Sequence, residues 1–361
     1  MTAASMKKSQ TLIVRADANV TIGTGHVMRC LALAQAWQDV GGSVVFAMAE
    51  STPAVDERLR SESVKIVPLK GAASDADAAE VAELTRLHQA NWVVVDGYRF
   101  DAAYQNSLKE SGLKVLFVDD NDHADHYFAD LVLNQNVYAN EAFYPSRENY
   151  TRLLLGPRYA MLRREFRPWR DWKREIAPVG RKVLVTMGGS DPENVTGRVV
   201  EALRMTTVEG LEATVVVGGS NPHLESLEKA GNLAGAIRFV RDTPDMPELM
   251  AWADVAVSAA GTTSLEMCLL GLPAILIDVA ANQTPGAEVL DQKGIAIHLG
   301  SSKQVRPETI VTELESLLLS QNMRIKMSEQ GKKLVDGQGA GRVIQVIGQL
   351  NCFSTVHSGP V

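Results

Sequence analysis

Three cysteines in 361 residues, Cys30, Cys268 and Cys352, are an odd number in three different contexts and carry no paired metal spacing. Reduced thiols and no metal site are therefore expected. Long apolar runs are missing too: nothing approaches the roughly 20 residues of a membrane-spanning helix, so no membrane partner is expected. The opening MTAASMKKSQ lacks the apolar core and small-residue cleavage site of a secretory signal, which points to a cytoplasmic location. Basic residues do not predominate. Lys and Arg number 36 against 43 Asp and Glu, a formal net charge of −7, and their scatter argues against a nucleic-acid groove, which needs a clustered basic face. A small anionic ligand stays open, because helix N-termini and backbone amides bind phosphate without net positive charge. Tandem repeats at solenoid periods are also absent.

What is present is 45% hydrophobic residues in a chain long enough for two cores. Strand-length apolar runs alternate with helical patterns: LIVRAD (12–17), SVVFAM (43–48), KIVPL (65–69), WVVVDGY (92–98), KVLFVDD (114–120) and LVLNQN (131–136). The intervening HVMRCLALAQAWQDV sets Val27, Leu31, Ala34 and Trp37 near one helical face. Short, nearly continuous apolar strands predict a parallel sheet covered on both faces. A second series follows in KVLVTMGG (182–189), ATVVVGG (213–219), AIRFV (236–240), VAVSAAG (255–261) and PAILIDV (273–279). Between the two lies the charged, proline-bearing RREFRPWRDWKREIAPVG (163–180), which reads as a connector with the boundary near residue 175. The expected division is a Rossmann-like domain over 11–170, a second over 181–335, and a C-terminal helix and tail over 336–361. The final periodic segment is broken at GQGAG (337–341), and the last eleven residues read as a frayed tail.

Doubly wound sheets bind ligands outside the carboxyl ends of their strands, so two in series predict a cleft lined by strand-to-helix loops. The unusual residues lie on those loops. After the first strand, IGTGHVMRC offers Gly23 and Gly25 for positive φ and close backbone approach, with His26 in the first turn of the helix. The positive end of the helix dipole favours a neutral imidazole there, and a neutral imidazole accepts a proton. The alternative is that His26 packs or caps the helix. Arg29, three residues on, either reaches the cleft or pairs with Asp17. The fourth strand ends in VVVDGYRFD, and alternation puts Asp96 and Tyr98 on one face; the plainer reading has Asp96 capping the next helix and Tyr98 packing over the sheet edge. The fifth ends in VDDND, followed by His123 and His126, but no second ligand pair accompanies them and Asp after a strand is an ordinary cap.

In the second series TMGGSDPENVT supplies Gly188 and Gly189 for a turn, Ser190 and Asp191 as capping oxygens, and Pro192 for the first helical position. Such a turn presents backbone N–H groups suited to a diphosphate. SAAGTTSLEMCLLGLPAILIDVAANQ (258–283) opens another helix with Gly261, Thr262, Thr263 and Ser264. Glu266, just inside, either accepts from a vicinal diol such as a ribose or is only a favourable first-turn charge. Asn282 and Gln283 then stand at the carboxyl end of the next strand, where neutral amides suit sugar hydroxyls or an N-acetyl group.

Together RADANVTIGTGHVMRCLALA, VVDGYRFD, VDD, LVLNQN, LLGPRYAMLRREF, TMGGSDPENVT and AAGTTSLEMCLLGLPAILIDVAANQ resemble, in order and spacing over residues 11–335, the UDP-2,4-diacetamido-2,4,6-trideoxy-β-L-altropyranose hydrolases of pseudaminic acid synthesis. The resemblance implies an α/β, GT-B-like fold, two Rossmann-like domains facing across a cleft. It implies that His26 is the catalytic group, that Tyr98 approaches the reacting sugar, and that Asn282 and Gln283 are the family's late Asn-Gln pair. The wider glycosyltransferase fold implies that the C-terminal domain holds the nucleotide, with Glu266 at the ribose. The family's Asp-His-Tyr is Asp96-Gly97-Tyr98 here, which removes a polar side chain from the sugar side.

The expected activity is hydrolysis of a UDP-linked acetamido-deoxy sugar at the anomeric carbon, without metal or other cofactor, His26 activating water and Tyr98 orienting sugar or water. A glycosyltransferase using the same donor is the alternative, and a non-catalytic nucleotide-sugar binding protein a third reading. A nicotinamide oxidoreductase fits less well, since the first loop lacks GxGxxG and the second strand is followed by no suitable acid other than Glu50.

Overall fold

The structure is a computed structural model that describes residues 10–19, 22–71, 74–231, 236–241, 243 and 245–354, leaving aside the side chains of 228–231 and 352–354. It divides into two compact units. One comprises the chain through Ala18, His26–Arg164 and the segment from Gly337; the other comprises Asn19–Gly25 and Glu165–Asp336.

In the first unit β1 (Thr11–Ala16), α1 (Gly25–Asp39), β2 (Ser43–Met48), α2 (Pro53–Ser61), β3 (Lys65–Pro68), α3 (Asp75–Leu87), β4 (Trp92–Asp96), α4 (Ala102–Glu110), β5 (Lys114–Val118), β6 (Leu131–Asn134) and β7 (Arg152–Leu155) follow in order. All seven strands run parallel in the order β3-β2-β1-β4-β5-β6-β7. Strand alternation feeds two cores. Leu12, Val14, Phe46 and Val94 face the side holding Val27, Leu31 and Trp37 of α1, while Ile13, Val45, Val93 and Val95 face Val81 of α3 and Leu108 of α4. Side-chain caps start the helices, Thr52 for α2, Ser74 for α3 and Asp101 for α4. Strand β7 has only RLLL as its signal, too short to separate from a helical turn by pattern.

The second unit repeats the plan with β8 (Lys182–Thr186), α5 (Val195–Met205), β9 (Glu212–Val217), α6 (Leu224–Gly231), β10 (Ile237–Arg241), α7 (Met246–Trp252), β11 (Val255–Ala259), α8 (Thr263–Leu270), β12 (Ala274–Asp278), α9 (Thr284–Gln292), β13 (Ala296–Ser301), α10 (Pro307–Leu319) and α11 (Gln321–Leu334). Its six parallel strands run β10-β9-β8-β11-β12-β13. The connector is fastened to this unit through backbone carbonyls. Arg174 donates to the carbonyls of Met250, Ala253 and Leu270, and Arg324 to those of Ala177 and Pro178. Burial pulls the pKa of Arg174 down to about 10, against the opposing pull of Asp254.

The last helix, α12 (Gly339–Ser354), belongs to the first unit, because Val343 and Ile347 enter the core beside Leu12 and Val27. Trp92 Nε1 donates to Asn351 Oδ1 at 2.8 Å and Lys114 Nζ to the Leu350 carbonyl at 2.9 Å. The expected fraying therefore does not start at Asn351; residues 355–361 lie outside the described residues. Among the described residues no helix is long and apolar enough to cross a membrane.

In both sheets the strand order reverses once, between β1 and β4 and between β8 and β11. Doubly wound sheets open a crevice at that reversal. His26 follows β1 and Asp96 to Tyr98 end β4; Gly188 to Asp191 follow β8 and Gly261 to Ser264 follow β11.

Candidate functional site

At the first reversal a buried ion cluster fixes the geometry. Arg29 of α1 grips Asp96 with Nε (2.7 Å) and Nη2 (2.6 Å), and its Nη1 reaches both oxygens of Asp120 at 2.7 and 2.9 Å. Asp120 also accepts from the Tyr98 hydroxyl at 3.0 Å and from Asn136 Nδ2 at 2.7 Å. Of the two readings of Arg29, the pairing with Asp17 does not occur. Asp17 is taken by Arg15, which also holds Asp77 inside the sheet. Nor does Asp96 cap α4, since Asp101 does so. Burial disfavours ionised Asp120, but Arg29 more than offsets it and holds this carboxyl well below the usual range.

His26 sits over this cluster, only 8% exposed, with its ring edge-to-face on Tyr98 at 4.8 Å. Neither ring nitrogen has a hydrogen-bond partner among the described residues. Burial lowers its pKa, and Arg29 adds to that while Asp96 and Asp120 oppose it, so the imidazole is neutral near pH 7. Tyr98 is 41% exposed, and burial together with Asp120 raises its hydroxyl well above the usual phenol range. It stays a neutral phenol. Gly23 takes a φ of 78°, as the loop requires, whereas Gly25 opens α1 without a positive φ, and a Cβ there meets nothing within 4 Å.

The two histidines after β5 are not neighbours in function. His123 faces Asp119 Oδ1 and the Phe100 carbonyl, both at 3.0 Å, while His126 faces Ser146 and Glu148. Asp119 caps a turn, accepting from the N–H groups of Asn121 and Asp122. Asp120 and Asn136 are the members that sequence reasoning did not single out, although each sits in a quoted motif, VDDND and LVLNQN. An Asp after a strand is so common as a cap that its long-range partner leaves no local trace.

At the second reversal the turn after β8 places Gly188 at φ 82° and Asp191 at φ 43°. Helix α5 begins at Val195, with Asn194 as its N-cap, rather than at Pro192. Asp191 still caps it, accepting from the N–H groups of Val195 and Thr196 at 2.8 Å each, and Ser190 is buried beside it. A residue outside the expected set supports this turn. A Cβ on Gly218, at the end of VVVGG, would lie 2.4 Å from the Gly189 carbonyl oxygen, which is backbone and cannot rotate away. Gly218→Ala is expected to destabilise the fold by about 1–3 kcal/mol, read as a lowered midpoint in a denaturant titration.

Helix α8 opens at Thr263, and its N-cap Thr262 makes no side-chain cap bond. Ser264 Oγ donates to the Gly261 carbonyl at 2.8 Å. Glu266 is half-buried in the first turn. Asn282 and Gln283 lie not at the strand end but four and five residues past it, in a 3₁₀ turn (Ala281–Gln283) that leads into α9. Gln283 Oε1 accepts from the Val279 N–H at 3.0 Å, and its Nε2 is 3.6 Å from where a Cβ on Gly261 would stand. The Gly261 to Ser264 turn and the Asn-Gln pair are thereby neighbours.

Two Rossmann-like parallel sheets in this strand order define a GT-B-like fold. The model of the glycosyltransferase family 28 C-terminal domain matches residues 183–339. The chain is similar to the spore coat polysaccharide biosynthesis protein SpsG of Bacillus subtilis, 26% identical over 67% of this chain and 71% of that protein. It is similar to the UDP-2,4-diacetamido-2,4,6-trideoxy-beta-L-altropyranose hydrolase of Campylobacter jejuni, 25% identical over 79% of this chain and 98% of that protein. Among solved structures, MurG of Acinetobacter baumannii superposes with a TM-score of 0.63 at 18% identity, covering 95% of this chain and 100% of that one.

Proposed function

We propose that the protein breaks the anomeric C–O bond of a UDP-sugar, with neutral His26 as the base that takes the proton of the attacking hydroxyl. The observation that carries this reading is His26 itself: a buried imidazole, its pKa lowered by that burial, with no hydrogen bond to any of the described residues, beside an exposed tyrosine at a strand reversal. A base poised below pH 7 is unprotonated when substrate arrives. The attacking oxygen forms a bond to C1, its proton passes to His26, and the C1–O bond breaks with its electron pair leaving on the β-phosphate of UDP. Tyr98, whose hydroxyl proton is committed to Asp120, offers a lone pair to the sugar or to the attacking group.

In this reading the second unit holds the nucleotide. The Gly188 to Asp191 turn and the α8 N-terminus at Gly261 to Ser264 receive the diphosphate, since backbone N–H groups and the helix dipole stabilise departing negative charge. Glu266 takes the ribose diol, and Asn282 and Gln283 take hydroxyl or acetamido groups of the sugar. Gly25 leaves the surface beside His26 low enough for the sugar to approach, and Arg29 and Asp96 hold Tyr98 in place through Asp120.

The identity of the acceptor separates two readings, and the glycosyltransferase domain match over 183–339 favours transfer to a hydroxyl acceptor over hydrolysis. Water as the acceptor is supported by the likeness to the Campylobacter hydrolase along nearly all of that enzyme. The test is UDP release from a panel of UDP-acetamido sugars, with and without carbohydrate acceptors, with product identification by mass spectrometry. Release that depends on acceptor and yields a new glycoside supports transfer; acceptor-independent release with free sugar supports hydrolysis. UDP binding without turnover of any donor would leave only the binding-protein reading.

A further inference from the structure

The loop 97–101 carries Tyr98, and its seat depends on a histidine outside the site as described. Gly97 takes a φ of 151°, and the Phe100 ring is buried with its N–H bonded to the Gly97 carbonyl at 3.3 Å. The outward side of the loop is held by His123. Its Nε2 stands 3.0 Å from the Phe100 carbonyl oxygen and its Nδ1 stands 3.0 Å from Asp119 Oδ1. A carbonyl oxygen only accepts, and so does an ionised carboxylate. Asp119 is ionised: burial opposes this, but His123, the Tyr127 hydroxyl at 2.7 Å and the Asn121 N–H outweigh it. Both ring nitrogens of His123 must then donate. An imidazole with two donors is an imidazolium.

We propose that His123 is a positioning residue for the reaction at His26: as an imidazolium it ties the Tyr98 loop to the Asp119–Asp120 pair, and loss of its proton frees the Phe100 carbonyl and unseats Tyr98. This rests on the reading of His26 and Tyr98 as the reacting site. The groups facing His123 agree with the charge. From the end of β5 and the turn after it come Asp119, Asp120 and Asp122 and the Phe117 ring at 5.6 Å; from the loop come the Phe100 carbonyl and the Tyr98 ring at 6.0 Å. Arg99 on the same loop is paired with Glu50, and Arg29 is taken up by Asp96 and Asp120. Burial works against the positive charge, yet the carboxylates and the carbonyl raise the His123 pKa above its ordinary value. A neutral ring keeps one donor; the Asp119 carboxylate is the stronger acceptor and retains it, so the bond given up is the one to the Phe100 carbonyl.

The experiment is a pH titration of the ¹⁵N-labelled full-length protein, following the His123 ring nitrogens and the Tyr98 ring by NMR, without substrate. At pH 7.5 a histidine of ordinary pKa, about 6.5, is roughly nine-tenths neutral. His123 is expected to carry protons on both nitrogens there, and Tyr98 is expected to shift at higher pH with the His123 midpoint. His123→Gln, which keeps a donor but no titration, should abolish that Tyr98 shift. With an active donor sugar it should lower kcat by up to about 100-fold with KM little changed, and remove an alkaline limb from the kcat profile. A His123 neutral at pH 7.5, or one that titrates while Tyr98 stays still, overturns the proposal. Because the titration needs no turnover, it stands even if His26 proves not to be the base.

Discussion

His26→Ala is expected to lower turnover by about 10²–10⁴-fold while leaving UDP affinity unchanged. The size follows from the role proposed for His26 as a general base, and the selectivity follows from the proposed separation of duties: the turns at Gly188 to Asp191 and Gly261 to Ser264, to which the diphosphate is assigned, contain no part of His26. Calorimetric titration with UDP and steady-state rates on one donor separate the two effects. Loss of UDP affinity with turnover kept would remove His26 from catalysis. The pH dependence has a fixed sign. The base works unprotonated, so kcat/KM rises with pH through the His26 pKa and is level above it until His123 loses its proton, and burial puts the acid limb below the ordinary histidine value of 6.5. The same shift appears in stability. Between the lowered native pKa and about 6.5 the unfolded chain binds a proton that the folded state refuses, so stability falls as pH drops through this window. His26→Ala flattens that part of the stability curve.

Arg29→Met should be the most destabilising single change in the site, at about 3–5 kcal/mol. Arg29 is buried between two buried carboxylates and supplies both with paired hydrogen bonds. Removing the cation leaves Asp96 and Asp120 uncompensated in a low-dielectric interior, and the expected fall in thermal midpoint is of order 10 °C. Acid separates this origin from simple loss of packing. In the wild type Asp120 is held below its ordinary pKa, so its contribution is complete above about pH 4 and is lost as pH falls further toward the depressed native value. In the variant, protonation relieves the unpaired charge. The stability gap between the two proteins should therefore narrow as pH is lowered, in chemical denaturation at pH 7, 5 and 4. A gap that stays constant with pH would mean that packing, not charge, is what Arg29 contributes.

Eleven of the thirteen described strands were legible because each is a compact apolar run flanked by turn residues, whereas the edge strands β7 and β13 were not, and the candidate loops were legible because strand-to-helix connections at a reversal concentrate the unusual residues. WVVVDGYRFD is an example: the apolar run ends at Asp96 and the side chains of interest follow at once. Less was legible wherever the deciding partner is distant in the chain. Arg29 has an acid near in sequence, Asp17, yet binds Asp96 and Asp120, 67 and 91 residues away. Asp17 is claimed by Arg15, whose position inside a strand that reads as apolar gives no hint of the Asp77 that holds it. Local pattern likewise misplaced the start of α5, because Pro192 after Ser-Asp is a good first helical position, but Asp191 and Asn194 adopt left-handed backbone and delay the helix. The need for glycine at 218 comes from the backbone of Gly188 and Gly189, on a neighbouring strand end, and no sequence window spans both. The destination of α12 is of the same kind: its apolar face is legible, but not which of two similar sheets it covers.

The central claim is that the bond broken is the one between the anomeric carbon and the phosphate oxygen of a UDP-sugar. It is tested most directly with a UDP-acetamido sugar carrying ¹⁸O at the bridging glycosidic oxygen, followed by mass spectrometry of both products. Attack at carbon leaves the label in UDP whether water or another hydroxyl is the acceptor. Label found in the sugar would mean attack at phosphorus, and would contradict the role assigned to His26 and to the turns that receive the diphosphate.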